Sequence, residues 1–540
     1  MTQPKADLVL KNGTVWTADS LTDKAEAVAI RGKEILAVGS NTEMDALIAP
    51  KTQVFDVRNA LLLPGFNDAH THFVEYSVRS SMTVDLYGVV SLDELKSRVR
   101  EHAQAHPTTE WLIGNRWFPS RFEGGKWPTR EDLDGIENQR PVAIFDVDGH
   151  SCWVNSCALE KLGFTVQTPD PVGGEIVRDE SGKPTGILLE NAHQSVPRSP
   201  TVTGDEFVQL FNQEVEKLNR LGITSLSNHG IQSEHLNLLE SMALNGKLSL
   251  RISEWENLTN DLSEAKALRE RFADSEIIRI GSLKAFVDGV LSSHTAWMLE
   301  PYADAPDKIG FPVTDIEKLI EQVVEADRQG FQLVIHAIGD RAVRECLNVY
   351  ERVVQLNGTR ERRHRIEHVE VVHPQDQERF AHLGVVASMM PMHCTADLEG
   401  YIKSRLGEPR AAYGYPWHNF INLGVHLCFG TDWPAIDLKD PNPLEQIFAA
   451  VTRTTPEAYP NSWHPEQRIT VTEAIRCYTY ESAYAEWMEH RKGSITPGKL
   501  ADLCVLSRNI LDGDPRDILD TEVVMTIFNG EVVYSKEFST

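Results

Sequence analysis

Five side chains with metal-binding chemistry stand at the ends of short apolar segments of this sequence. His70 and His72 are two residues apart, and because alternate side chains of a β-strand share one face, their imidazoles can hold one metal ion. His336, His368 and Asp432 each end a later apolar segment. Imidazole nitrogen and carboxylate oxygen are ligands of divalent metals such as zinc. Such a set is typical of a hydrolytic metal centre.

A lysine adds to this set. Lys284 lies inside the apolar segment Ser282–Phe286, where an ammonium is costly unless it is paired or bound. Asp68 shares the strand face of His70 and His72. It could accept the hydrogen bonds that fix the tautomers of these ligands.

Further polar and aromatic residues are candidates for contacting the substrate. His150 and Asn155 lie in a region rich in Trp, Gly and Pro, and an internal structural role is an equal alternative for both. Trp117 and Trp153 of that region could form an apolar wall, although such aromatic residues usually belong to a core. The remaining candidates follow apolar segments and could line a pocket: Asp288, His294, Asp340 and His393.

The apolar segments alternate with amphipathic helices, predicted at 205–220, 316–328 and 340–354. The predicted strands are 61–63 continuing into 67–72, 223–227, 248–255, 278–288, 332–339, 364–372, 385–391 and 425–432. Eight such strands predict an α/β fold with an all-parallel closed sheet, a (β/α)8 TIM-type barrel. In this fold the active site lies at the C-terminal ends of the strands, where the candidate ligands stand.

Two regions depart from this alternation. Short strands and tight turns at both ends, including Asn529-Gly530, predict one small β-sandwich domain built from residues 1–62 and 487–540. The barrel then comprises residues 63–73 and 204–486. Residues 74–203 follow the first barrel strand and are too long for one crossover, so we expect an inserted subdomain that covers the barrel mouth as a lid.

Composition limits the partners. The 540 residues contain 53 Lys and Arg against 79 Asp and Glu, a net charge of −26. This balance argues against nucleic acid and against an anionic membrane surface. We expect no signal peptide, and the sequence has no run of about 18 consecutive apolar residues. Its seven cysteines are scattered. We expect a cytoplasmic protein with a small, largely uncharged, partly apolar substrate; a homodimer stays open.

In sequence the chain resembles the amidohydrolase superfamily, which has the same order of residues: His-x-His on strand one, Lys on strand four, His on strands five and six, Asp on strand eight. Locally it is similar to family 3 of these enzymes, the branch that contains N-substituted formamide deformylases. The segments that carry the resemblance are 63–72, 149–155, 284–289, 336–340 and 430–434.

The resemblance implies two zinc ions. His70, His72 and Asp432 would bind one and His336 and His368 the other, with a carboxylated Lys284 as the bridge. Zinc would lower the pKa of bound water from about 15.7 towards about 7, and the resulting hydroxide would attack a carbonyl of an amide-type, non-peptide bond. Asp432 would take the proton and deliver it to the leaving nitrogen. Iron or manganese in place of zinc, and a single metal beside an uncarboxylated Lys284, are the alternatives.

Other functions are compatible with the same ligands. A cyclic amide hydrolase such as a hydantoinase would use an identical set. A mononuclear deaminase of the superfamily commonly has Glu three residues after the strand-five histidine, where this sequence has Gly339. A non-catalytic binding protein on the same scaffold is the third alternative, and the six retained ligands argue against it.

Overall fold

A computed structural model describes residues 4–19, 24–107, 109–117, 127–147, 149–198, 204–395, 401–434, 438 and 440–536. The strands are β1 Leu8–Lys11, β2 Thr14–Trp16, β3 Lys24–Ala25, β4 Ala27–Arg31, β5 Glu34–Gly39, β6 Gln53–Asp56, β7 Leu61–Pro64, β8 Phe66–Thr71, β9 Val84–Asp85, β10 Leu112–Trp117, β11 Val142–Asp146, β12 Ser151–Val154, β13 Gly174–Arg178, β14 Pro184–Glu190, β15 Ile223–His229, β16 Arg251–Asn257, β17 Ile278–Phe286, β18 Gln332–Ala337, β19 Arg365–His368, β20 Val386–Met389, β21 Leu427–Phe429, β22 Leu503–Leu506, β23 Val523–Phe528 and β24 Glu531–Ser535. The helices are α1 Asn41–Asp45, α2 Phe73–Met82, α3 Leu92–Ala105, α4 Arg130–Asp134, α5 Ser156–Leu162, α6 Gly204–Arg220, α7 Ser233–Leu244, α8 Ser263–Arg271, α9 Ile316–Arg328, α10 Asp340–Asn357, α11 Pro374–Leu383, α12 Pro391–Thr395, α13 Tyr401–Leu406, α14 Glu408–Ala411, α15 Trp417–Asn422, α16 Pro443–Thr452, α17 Val471–Cys477, α18 Tyr480–Ala485 and α19 Arg516–Leu519.

Eight parallel strands form the central sheet, in the order β8, then β15 through to β21. The two outer strands approach each other at what we call the barrel seam, which joins β8 to residues 431–433. There the Asp432 amide donates to the His70 carbonyl at 2.8 Å, and the His72 amide donates to the Trp433 carbonyl at 3.0 Å. The TIM-type barrel predicted from the alternation of strands and helices is therefore confirmed.

Packing explains why the strands read as apolar runs. Strand β18 is buried at every position, because the barrel interior lies on one side and helices lie on the other. Helix α9 has the bounds expected from its sequence; the side chain of Asp315 caps it by accepting from the Lys318 amide. Strands β17 to β21 are all shorter than expected. Strand β19, for example, ends at His368, since the backbone turns away at His368 and Val369, with φ of 71° and 50°.

Both ends of the chain contribute to one small β region. A six-stranded sheet has the order β24-β23-β22-β7-β2-β3, so that β7 pairs with β22, more than 400 residues later. A four-stranded sheet, β5-β4-β1-β6, shares with it an apolar core that includes Leu8, Leu62 and Ile527. The boundaries at residues 62 and 487 stay predictions.

The segment between the first two barrel strands contains its own sheet, in the order β13-β14-β12-β11-β10-β9. Helices α3, α4 and α5 accompany this sheet. The limits 74–203 for an inserted subdomain likewise stay a prediction. Among the described helices, none is both long enough and apolar enough to span a membrane.

Candidate metal centre

Three of the expected ligands meet at the C-terminal end of the barrel. His70 on β8, His368 on β19 and Asp432 beyond β21 each place one ligand atom within 4.8 Å of the others, and all three side chains are buried. Asp432 and His368 both have positive φ, 55° and 71°. This backbone is uncommon for side chains with a Cβ and is often found at functional sites.

The other expected ligands surround this group. Nε2 of His72 is 3.4 Å from Oδ1 of Asp432, and Nζ of Lys284 is 3.5 Å from Nε2 of His70. The ring of His336 lies 4.4 Å from that of His368, but its Nε2 contacts the Gly289 carbonyl at 3.2 Å. The six residues thus form one cluster, with His336 at its edge.

The electrostatics favour neutral imidazoles and a charged carboxylate. Burial lowers the pKa of His70, His336 and His368 well below the ordinary value. Nearby basic groups act in the same direction, first Lys284 at His70 and His150 at His336. Burial alone would raise the pKa of Asp432, but His72 and the other nearby basic groups outweigh burial and lower it. Burial lowers the pKa of Lys284 to about 8. Neutral histidine and ionised aspartate are the protonation states that bind metals.

A divalent metal fits these residues. Nδ1 of His368 and Oδ1 of Asp432 are buried and lack a hydrogen-bond partner in the described part of the chain. A buried polar atom without a partner is costly, and a cation among His70, His368 and Asp432 would satisfy both atoms. Nitrogen and oxygen donors in this mixture suit zinc and similar divalent ions.

Carboxylates orient the histidines, and the sequence alone did not identify them. Oε2 of Glu367 is 2.6 Å from Nδ1 of His70, so that Nε2 of His70 is the atom left for a ligand. Glu370 contacts Nδ1 of His393 at 3.2 Å in the same way. The signal that could have found Glu367 is its place in a four-residue buried strand next to His368, where an unpaired acid would be costly.

Asp68 has a different role from the one expected. It accepts hydrogen bonds from the Thr431 amide at 2.9 Å, the Thr431 hydroxyl at 2.6 Å and the His70 backbone amide at 3.2 Å. Its carboxylate therefore holds the barrel seam and not an imidazole ring. The expectation that Asp68 fixes the histidine tautomers is corrected: Glu367 does this for His70.

A cavity of about 510 Å³ adjoins the cluster. The barrel contributes His72, His229, Phe286 and Asp288 to its wall. The described residues between the first two barrel strands contribute others, among them Arg116, Phe145, His150, Glu190 and Arg198. The volume is within the range of small-molecule sites.

His150 occupies the position expected for a residue that contacts substrate. It lines the cavity, and its ring is 5.3 Å from that of His336. Glu190 accepts a hydrogen bond from the Thr295 hydroxyl at 2.6 Å and contacts Nδ1 of His150 at 2.7 Å. The imidazole is thereby held with Nε2 as its second polar atom.

Trp117, Trp153 and Asn155 are placed elsewhere. This corrects the expectation that the two tryptophans form an apolar wall of the site, and it favours the structural alternative for Asn155 over contact with the substrate. The two indoles stack at 5.3 Å inside the apolar core of the β9–β14 sheet, and Nε1 of Trp153 donates to the Thr129 carbonyl at 2.9 Å. Asn155 caps α5 and bonds the amide of Val142 at 3.0 Å. None of the three lines the described cavity. The sequence around these three residues does not indicate which side of the sheet their side chains face.

Of the four candidates that follow barrel strands, two lie at the cavity or the metal cluster and two do not. Asp288 lines the cavity and accepts from the amides of Ile338 and Gly339 at 3.0 and 2.9 Å. His393 stacks on His368, and its Nε2 is 3.7 Å from Oδ2 of Asp432. His294 pairs with Asp304 at 3.1 Å, and Asp340 accepts from the Leu299 amide at 2.8 Å; both are structural contacts outside the described cavity wall.

Known proteins are similar to this chain in sequence and in fold. Residues 53–534 match a model described as an amidohydrolase family. The chain is 35% identical to the protein LONG AFTER FAR-RED 3 of Arabidopsis thaliana, covering 98% of this chain and 92% of that protein. It is 27% identical to the N-substituted formamide deformylase of Arthrobacter pascens, covering 99% of each. An uncharacterized metal-dependent hydrolase from Pyrococcus horikoshii has a solved structure with a TM-score of 0.73 and 26% identity, covering 94% of this chain and 99% of that one. The chain therefore belongs to the amidohydrolase family, and it is a metal-dependent hydrolase of carbon–nitrogen bonds.

Proposed function

We propose that this hydrolase cleaves a small, non-peptide amide, with an N-substituted formamide as the leading substrate class. One observation carries the proposal: His72, which contacts Asp432 of the buried group His70, His368 and Asp432, lines a cavity of about 510 Å³ with both aromatic and polar walls. A cavity of this size accepts a small molecule and is too small for a folded polypeptide. The deformylase of Arthrobacter pascens, similar over the whole chain, acts by its name on substrates of this class.

The metal would be held by His70, His72, His336, His368 and Asp432, and zinc is the ion we propose. A bound divalent ion lowers the pKa of water and polarises a carbonyl oxygen. We propose two ions, with Lys284 as a carboxylated bridge between them. The burial of Lys284 and its 3.5 Å approach to His70 support this role, because an uncharged amine is the form that reacts with carbon dioxide.

The protein's own groups would then handle the proton and the substrate. Asp432 is ionised and central in the cluster, so it can accept a proton from the attacking water and deliver it to the leaving nitrogen. His150, whose Nδ1–H faces the Glu190 carboxylate, can accept a hydrogen bond at Nε2 from a polar hydrogen of the substrate. A substrate bound between the cavity walls would displace water from them, which would strengthen these interactions.

The charges in the cavity agree with a largely uncharged substrate. Arg116 and Arg198 line it, but Arg116 is bound to both carboxylate oxygens of Asp85 at 3.0 and 2.9 Å. Arg198 donates to the Gly149 carbonyl at 2.8 Å. These arginines are therefore engaged within the protein, and Phe145 and Phe286 leave aromatic surface for an apolar N-substituent.

The test is a substrate panel on protein with known metal content. N-substituted formamides, N-acyl amino acids, cyclic imides and aminopurines are compared, and the metal is removed by chelation and then restored. We expect formamide turnover that is lost with the metal and regained with zinc. His70→Ala should abolish this turnover, whereas His382→Ala, at an exposed position on α11, should not. Turnover of aminopurines or cyclic imides in preference to every formamide would contradict the proposed substrate class.

A further inference from the structure

A second cavity, of about 370 Å³, lies at the opposite rim of the barrel. We call it the basal cavity. The N-terminal halves of β16, β17 and β18 contribute Ser253, Arg279 and Gln332 to its wall, and α8, the turn after α9 and the segment before β19 contribute further residues. Its charged and aromatic lining includes Arg269, Arg279, Arg360, Arg362, Glu486 and Trp487.

The basal cavity is separate from the metal centre. Arg279 and Lys284 both lie on β17, five residues apart, and a strand rises about 3.3 Å per residue, so that about 16 Å of strand lies between them. In this fold the chemistry belongs to the C-terminal rim. A ligand in the basal cavity would therefore not touch the reacting groups.

Three of its four arginines have partners that explain their presence. Arg269 donates to the carbonyl of Gln329 at 3.1 Å, at the C-terminus of α9. A cation at this position also interacts favourably with the negative end of the helix dipole. Arg360 and Arg362 share the carboxylate of Asp327, at 2.6 and 2.8 Å. Two guanidinium groups against one carboxylate leave an excess of positive charge.

Arg279 lacks such an explanation. It lies in a strand, away from any helix end, and makes neither a hydrogen bond nor an ion pair with the described residues, although it is half-buried. The nearby acid, Glu486, is engaged by Lys492 at 2.8 Å and by the Ser227 hydroxyl at 3.1 Å. Burial lowers the pKa of Arg279, and Glu486 only partly opposes this effect. Arg279 is thus a half-buried guanidinium without a hydrogen-bonded partner among the described residues, and three further arginines line the same cavity, so that an anion can bind there.

We propose that the basal cavity binds a small anion through a phosphoryl group, with Arg279 as the principal donor. A guanidinium offers a planar fork of N–H donors that matches two phosphoryl oxygens. The unmatched positive charge of the Arg279, Arg360 and Arg362 group suits a dianion better than a monocarboxylate. Trp487 is half-buried on the wall and offers aromatic surface to the organic part of a phosphate ester, whereas Phe331 is buried beneath the guanidinium of Arg269.

The test measures binding of inorganic phosphate and of phenyl phosphate to the metal-loaded enzyme by calorimetry. Ionic strength is matched with sodium chloride, because weak binding to surface arginines is screened by salt. Arg279→Gln should weaken phosphate binding about ten- to a hundredfold, the effect of losing hydrogen bonds to a charged group. Arg279→Lys keeps the charge without the fork and should fall between Arg279→Gln and wild type. Arg100→Gln, on the exposed face of α3, is the matched control and should bind as wild type does.

Amide turnover separates the two sites. Because Arg279 is remote from the metal, Arg279→Gln should keep wild-type turnover while losing the anion. Tighter binding of phenyl phosphate than of phosphate would identify an ester as the ligand, and equal binding would identify the phosphoryl group alone. The proposal is wrong if wild type binds neither compound, or if Arg279→Gln binds both as wild type does. Binding that survives Arg279→Gln and inhibits turnover would locate the phosphate at the metal instead.

Discussion

Replacing Glu367 by glutamine tests whether this carboxylate orients His70 in the candidate metal centre. Glu367 is fully buried between two cationic or potentially cationic groups. It accepts from Nε and Nη2 of Arg365 at 2.8 and 3.1 Å, and its Oε2 is 2.6 Å from Nδ1 of His70. The substitution removes one negative charge and half of the acceptor capacity at nearly constant volume.

Two separate losses follow from these contacts. The guanidinium of Arg365 keeps the Ala69 carbonyl and the Ser388 hydroxyl but loses its counter-charge, and breaking a buried ion pair in this way costs about 3–5 kcal/mol of folding free energy. The amide of glutamine can also donate to Nδ1 of His70. That contact moves the ring proton to Nε2, the atom needed for the metal, and loss of such an orienting partner lowers metal affinity about 10- to 100-fold.

The two losses are measured on different forms of the protein. Urea unfolding of chelated protein reports the loss of the ion pair alone, and competition with a chromophoric chelator reports metal affinity. Glu378→Gln, the same substitution at an exposed position of α11, is the control. Unchanged stability and unchanged metal affinity in Glu367→Gln would refute the reasoning, whereas a loss of stability alone would refute only the role in orienting His70.

Three further predictions follow from particular contacts. Lys284→Ala should be inactive and should regain part of its activity when a short carboxylic acid is added, as measured by turnover with and without the acid; an active variant would exclude the bridging role. Trp153→Ala should destabilise the protein by about 3–5 kcal/mol in urea unfolding. Turnover per folded molecule should stay unchanged, because the indole is buried away from the cavity. A loss of turnover without a loss of stability would show that Trp153 belongs to the active site after all. The pKa of Asp327 is lowered, because hydrogen bonds from His364, Arg362 and Asn357 outweigh the effect of burial. The ionised carboxylate therefore stabilises the folded protein fully above the unfolded pKa of about 3.9. This stabilisation declines as the pH falls below that value. The difference in unfolding free energy between wild type and Asp327→Asn should therefore be large at pH 7 and shrink below about pH 4; a difference independent of pH would contradict the shift.

The barrel and most of the cluster could be predicted from the sequence because both depend on local patterns. Apolar runs alternating with helices reveal parallel strands, and residues at the ends of such strands meet at one rim. His70, His368 and Asp432 needed no knowledge of long-range packing beyond this rule. His336 obeys the same rule, yet its contact with the Gly289 carbonyl depends on a loop conformation that no periodicity reveals.

The partners of these residues were harder to predict, because they come from positions without a pattern. Glu190 reaches His150 from 40 residues away, and Glu367 reaches His70 from 297 residues away. The prediction for Trp153 was wrong for a related reason. Both faces of the β9–β14 sheet are covered by apolar residues, so the alternation of side chains along its strands does not show which face adjoins the cavity. Arg279 gave no signal at all, since a single cation in a strand is informative only once its neighbours are known.

The barrel seam also determines when the enzyme can acquire its metal during synthesis. His70 and Asp432 become neighbours only across this seam, and roughly 360 residues separate them in the chain. At about 5–20 residues per second, the ribosome needs about 20–70 s to make that stretch. Glu367, the acceptor that orients His70, is made only 297 residues after it, and the Asp432 carboxylate only at the end of the interval. With the ligands proposed above, metal loading would follow synthesis of Asp432 and closure of the barrel.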